Sequence, residues 1–222
     1  MTRLISKKRG VSVVISTLLV LAITIVGALS ISNLMSTSAL TTVNQTPKAI
    51  IAANSVLLTA YDTRDGTFLF NIPNFDNRFG DGVLCSTITC ATNADARPLD
   101  LGTDFIVLQV WNKNTNPIHI RTLQINGILH TWDTNTKNVP FDGGGTPGFP
   151  RDGMFSIIPV SSSTLTQQNT QQVEGDQEVI LVVKLSRTAF NDNLGLGKPL
   201  RILVNIGDEQ PAKYIILTGE TK

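Results

Sequence analysis

Val11 to Leu34 reads VSVVISTLLVLAITIVGALSISNL, an uncharged and mostly apolar run that constrains this chain more than any other feature. As an α-helix rising 1.5 Å per residue it would extend roughly 36 Å, against about 30 Å of bilayer hydrocarbon. The run therefore predicts a membrane-spanning helix. Arg3, Lys7, Lys8 and Arg9 crowd the residues before it, which assigns that end to the cytoplasmic side and everything after Leu34 to the outside. A buried core helix fits less well, because such helices rarely run this far without a charge. A secretory signal cut at Ala28-Leu29-Ser30 is a second alternative, against which the apolar run is longer than usual and has no polar break before that site. A simple membrane anchor is the third.

Charge bears on partners. The 222 residues carry 18 basic and 17 acidic side chains, a near balance that gives no sign of a nucleic-acid or other polyanionic partner. The first ten residues hold four of the positive charges and no negative one, so removing them takes the side-chain balance from +1 to −3. After Arg9 no charge appears until Lys48, and the first carboxylate is Asp62.

The junction Lys8-Arg9-Gly10-Val11-Ser12-Val13-Val14-Ile15-Ser16-Thr17-Leu18-Leu19 resembles the start of archaeal type IV prepilins. In that family a short basic leader, the class III-type signal peptide, ends in Gly or Ala directly before an apolar helix. The resemblance covers about the first 35 residues. It implies cleavage by a prepilin peptidase between Gly10 and Val11, retention of the whole helix, and delivery to a pilus assembly machinery. The precursor would sit in the cell membrane, and the mature subunit would join a homo-oligomeric extracellular filament through its N-terminal helix. Two positions depart from family patterns: many archaeal pilins have Pro where this chain has Val13, and bacterial pilins carry Glu where it has Ile15. Archaellins, the subunits of the rotating archaeal filament, begin similarly, so a motility filament is an alternative. Ala22, Gly27 and Ala28 are small enough to let such helices approach closely.

From Met35 to Thr46 the chain turns polar, and Pro47 stops the helix, which is expected to end near Asn44. The predicted organisation is a cleaved leader at 1–10, a transmembrane or filament-core helix at 11–46, and an outer domain at 47–222. Asn44-Gln45-Thr46 is an N-glycosylation sequon, with Asn44 as the acceptor just outside the predicted membrane.

From Ser55 the apolar period becomes two. Ser55 to Tyr61 and Thr67 to Ile72 read as a hairpin about Asp62 to Gly66. Further strands are expected at Phe105 to Trp111, Ile118 to Ile125, Gly127 to Trp132, Met154 to Val160, Glu178 to Leu185, Leu200 to Ile206 and Lys213 to Thr218. Asp142 to Gly153 is a Gly- and Pro-rich loop, and Ser161 to Gln172 reads as an exposed polar one. Short strands with frequent turn signals predict an antiparallel, Ig-like β-sandwich, so the expected fold class is α+β: a long apolar helix followed by that sandwich.

Cys85 and Cys90 are the two cysteines; outside a cell this spacing points to a local disulfide, and a metal site would lack ligands. His119, between Ile118 and Ile120, is expected on a solvent face, and His130 is expected to be structural or superficial, near a loop. Asp76 to Gly82 holds oxygen ligands and turn glycines but lacks the spacing of a calcium loop. No phosphate, dinucleotide or zinc-protease motif is present, so no metal, cofactor or enzyme activity is expected. Two functions follow. One is a pilus-like filament subunit displaying its β domain for adhesion. The other is a single-pass anchored binding domain that does not polymerise.

Overall fold

The structure, a computed structural model, describes residues 14–26, 55–64, 66, 68–70, 72, 83–84, 104–143, 148–190, 194–207 and 210–222. The chain divides into two compact units, Met1–Lys48 and Ala49–Lys222.

In the first unit the described residues form one α-helix, 14–26. Its rise is about 20 Å, which falls short of a bilayer core of about 30 Å. Among the described residues no helix is long and apolar enough to cross a membrane. The expected membrane-spanning helix is corrected to this shorter one.

The second unit is built from strands. They are β1 (Val56–Asp62), β2 (Val83–Leu84), β3 (Phe105–Asn112), β4 (Ile118–His119), β5 (Thr122–Ile125), β6 (Ile128–Trp132), β7 (Met154–Pro159), β8 (Gln172–Val173), β9 (Glu178–Lys184), β10 (Leu194–Gly195), β11 (Pro199–Asn205) and β12 (Ala212–Leu217). Eight of them form one sheet in the order β1-β3-β9-β7-β6-β5-β11-β12. The sheet rolls up until its ends meet. Tyr61 and Lys222 exchange backbone bonds of 3.0 and 2.9 Å, Thr63 N–H donates to Glu220 O, and Gly219 N–H donates to Thr63 O. The Thr63 hydroxyl adds a 2.6 Å bond to Leu217 O, and the Tyr214 hydroxyl donates across the seam to Val56 O at 2.6 Å.

The outcome is a nearly closed barrel, and it replaces the expected sandwich of two packed sheets. Joining the ends satisfies edge groups that two open sheets would leave unpaired. Nor is the sheet wholly antiparallel: β6 and β7 run parallel, Thr131 opposite Met154 and Trp132 opposite Phe155. Parallel neighbours need a long crossover. The Gly- and Pro-rich segment before Met154 belongs to that crossover.

The inner core takes alternate residues of every long strand, for example Ile106, Leu108 and Val110 of β3, Leu181 and Val183 of β9, and Ile202 and Val204 of β11. β3 and β9 are also buried on their outer faces. Phe105, Val107, Ile180 and Val182 are covered there by Leu69 and Ile72, with Phe70, Phe141 and Leu165 packed alongside. Two-sided burial explains why these strands read as near-continuous apolar runs rather than as alternation.

The hairpin expected between 55–61 and 67–72 is likewise corrected. β1 pairs with β3, and Leu69 and Ile72 turn inward over the outer core instead of forming a returning strand. Ile118 to Ile125 breaks in two: β4 pairs with β8, and β5 pairs with β6 and β11. Ser161 to Gln172 is less exposed than expected, for Gln167 is buried, with its side-chain nitrogen donating to Val139 O at 3.2 Å. Gly175 is one position where glycine is required. A Cβ there would meet the Thr115 backbone and come within 2.9 Å of the Asn114 carbonyl oxygen.

Candidate functional site

The helix at 14–26 places Val14, Ile15, Leu18, Leu19, Val20, Leu21, Ile23, Ile25 and Val26 at its surface, each 52–63% exposed. At about 100° per residue these positions are spread round the full circumference. Two of its hydroxyls bond back to carbonyls of the helix itself. The Thr17 hydroxyl donates to Val14 O at 2.9 Å, and the Thr24 hydroxyl donates to Leu21 O at 2.9 Å and Val20 O at 3.0 Å. Back-bonding of this kind leaves methyl groups facing outward. A helix apolar all round is found where something apolar covers it. Covering any one of its large side chains contributes about 1.5–3 kcal/mol.

Ala22 lies on this helix and is exposed. Gly10, Val11, Gly27, Ala28, Asn44, Cys85 and Cys90 lie outside the described residues, as does the Asp76 to Gly82 loop. Among the described residues no three His, Cys, Asp or Glu side chains are grouped to hold a metal ion.

His119 lies exposed on β4. His130 is fully buried on β6, with its ring beside Phe190 at a centroid distance of 6.3 Å. Its Nδ1 lies 3.0 Å from Ile128 O and so carries the proton, while Nε2 has no partner among the described residues. Burial lowers the pKa of the ring, outweighing the Ile128 carbonyl bond and the charge of Asp152, which favour the imidazolium. The unfolded chain binds a proton here that the folded barrel refuses. Stability is thus complete above the ordinary histidine value of about 6.5 and is lost as pH falls below it toward the lowered folded value. In urea titrations between pH 7 and pH 5, His130→Leu should flatten this dependence, which has a ceiling of about 1.4 kcal/mol per pH unit. An unchanged slope in the variant would assign the effect to other groups.

Three buried polar groups carry much of the loop architecture, and the sequence signalled none of them as more than a loop residue. Asp62 accepts from Arg64 N–H, Nε and Nη2 and from Phe70 N–H, fixing the turn after β1. The Asn112 amide donates to Asn116 O, Val173 O and Glu174 O, and its oxygen accepts from Asn114 N–H. Asp133 holds Arg151, as taken up below. All three are satisfied within the fold, so their chemistry is structural.

Comparison with known proteins adds no relative: no family model and no curated protein matches the chain.

Proposed function

We propose that this chain is a structural subunit of a type IV pilus-like surface filament. In this reading the apolar helices of successive copies cover one another in the filament core, and the β barrel is displayed outside for adhesion or surface attachment. One observation carries the reading. The helix at 14–26 exposes apolar side chains on every side and bonds the Thr17 and Thr24 hydroxyls to its own carbonyls, and it belongs to a different compact unit from the barrel. A helix of that kind is suited to burial among copies of itself. The basic-Gly-Val-Ser junction at Lys8 to Ser12 supports it through its resemblance to prepilins, with Gly10 and Val11 at the cut. In an extracellular setting Asn44 is expected to carry a glycan and Cys85 and Cys90 to form a disulfide.

Expression with the cognate peptidase and assembly machinery tests the reading. Sheared surface fractions should contain filaments of the chain, and mass spectrometry should find Val11 as the free N-terminus. An N-terminus at Ile31 would mean ordinary secretion with loss of the helix. Mature chain that never leaves the unassembled pool would end the filament reading.

A further inference from the structure

At the seam of the barrel β12 lies beside β1. The Tyr214 hydroxyl reaches Val56 O near the start of both strands, and the Thr63 hydroxyl reaches Leu217 O near their ends, so the two run parallel. Val56 belongs to the inner core and Tyr214 packs against it, so the next residues, Leu57 and Ile215, point outward at one level. Ile215 is 74% exposed and Leu57 37%. Strand pairing extends this level on both sides: Arg201 of β11 stands opposite Ile215, and Trp111 of β3 stands opposite Leu57. One row therefore crosses the seam in the order Arg201, Ile215, Leu57, Trp111.

The two halves of this face differ in charge. On the β11–β12 side Arg201 and Lys213 are exposed, and strands β5, β6, β11 and β12 contain no carboxylate. Among the described residues neither Arg201 nor Lys213 is held in a salt bridge. On the β1–β3 side Asp176 accepts from Trp111 Nε1 at 3.1 Å, and the Thr59 hydroxyl of β1 donates to Glu178 Oε1 at 2.7 Å, which brings both carboxylates onto this half. Lys113, over the Trp111 ring at 5.7 Å, offsets one of them. Glu220 and Lys222, at the closed end of the seam, add one side-chain charge of each sign. Lys213 precedes Ile215 by two positions, and Thr59 follows Leu57 by two. Because β12 and β1 run parallel, Lys213 lies below the row on one side of the seam, and the Glu178 carboxylate lies above it on the other.

We propose that the seam face is a two-fold interface at which a second copy of this chain docks. Half a turn about an axis through the seam exchanges the two ends of the row and also exchanges below with above. Ile215 then meets the partner's Leu57, Arg201 meets the partner's Asp176 beside its indole, and Lys213 meets the partner's Glu178. Each cation faces a carboxylate, and charge complementarity of this kind selects the partner and fixes its register. The same patch serves both copies, so the contact is isologous and closes at two. It needs the barrel alone and does not rest on the filament reading. Where filaments form, it joins two of them side by side.

Cross-linking of the full chain reads the contact directly. Ile215→Cys, treated with a short bis-maleimide in detergent micelles, should add one species of two copies to the wild-type pattern and nothing larger. Leu129→Cys, equally on the surface but on β6, three strands from β12, should add none. Within the Ile215→Cys chain, Arg201→Glu with Lys213→Glu turns the basic half acidic, and Asp176→Lys with Glu178→Lys turns the acidic half basic. Either pair alone should cut the dimer yield about tenfold by setting like charges together, and an equal mixture of the two variants should restore it. The melting temperature confirms that each variant is folded, and Lys213→Glu mixed with Glu178→Lys repeats the test on a single exposed pair. Absence of the dimer, a ladder beyond two copies, or equal cross-linking of Leu129→Cys would overturn the proposal. A mixture that cross-links no better than its separate components would do the same. None of these results requires filaments, so the filament reading stands or falls separately.

Discussion

Replacing Asp133 by alanine is expected to lower the stability of the barrel by about 3 kcal/mol, a value held to the lower end of the buried-pair range because Arg151 is partly exposed. Asp133 follows the last residue of β6, and Arg151 lies just before β7, so the pair clasps the two ends of the crossover between parallel strands. The carboxylate is fully buried and accepts from Arg151 Nη2 at 2.8 Å, Arg151 N–H at 2.8 Å and Asn135 N–H at 3.0 Å. Burial alone would raise its pKa. The bonds from Arg151 and Asn135 and the guanidinium charge outweigh that and hold it below the usual carboxylate range. Alanine would leave two backbone N–H groups and a guanidinium without their acceptor. The loss should shift the melting temperature by about 6–12 °C at 2–4 °C per kcal/mol. Asp133→Asn should cost less, since one acceptor oxygen remains. Below about pH 3.9 the stabilisation is lost as the carboxylate protonates through its lowered folded value. A double-mutant cycle with Arg151→Ala that shows no coupling would assign the cost of Asp133→Ala to something other than the pair.

The long strands were legible in the sequence because their two-residue period and apolar runs are local properties. Phe105 to Trp111, Met154 to Val160, Glu178 to Leu185 and Leu200 to Ile206 each agree with the structure to within one residue. What was not legible is which strand meets which. Closure depends on Tyr61 meeting Lys222 and Thr63 meeting Glu220, contacts between opposite ends of the barrel unit that no local pattern encodes. The parallel pairing of β6 with β7 is equally non-local, and it converts an expected sandwich into a barrel. Two further local signals lie in the sequence. Buried residues fall at Ile118 and Ile120 but then at Leu123 and Ile125, a change of phase that marks the break between β4 and β5. Asn126-Gly127, both at positive φ, is a two-residue hairpin signal between β5 and β6.

The candidate site divides in the same way. That residues 14–26 form an apolar surface is written in their composition, and the structure adds the back-bonded hydroxyls of Thr17 and Thr24. The barrel's outer surface was hidden: Ile215 and Arg201 read simply as alternating members of half-buried strands, and only the strand order and the closed seam set β12 beside β1.

Leu21→Lys is the variant in which filament formation should be lost altogether. Leu21 is exposed on the described helix, with apolar side chains on all sides of that helix. In a filament core this side chain is covered by neighbouring copies, and the substituted ammonium would be carried into the core by every subunit. No carboxylate precedes Asp62 in the sequence, so the helix and its symmetry mates offer no partner charge. An unpaired ion moved from water into such a core costs several kcal/mol, more than burying one leucine contributes. The cost recurs along the filament, so the expected yield in sheared fractions is below detection by electron microscopy. Leu21→Met keeps volume and apolarity and should assemble like the wild type. The substituted position belongs to a different compact unit from the barrel, so the chain's melting transition should remain. That separates failed assembly from failed folding. Abundant filaments from Leu21→Lys would show that the helix is not buried among its copies, and the core proposed for this filament would have to be built from the barrels instead.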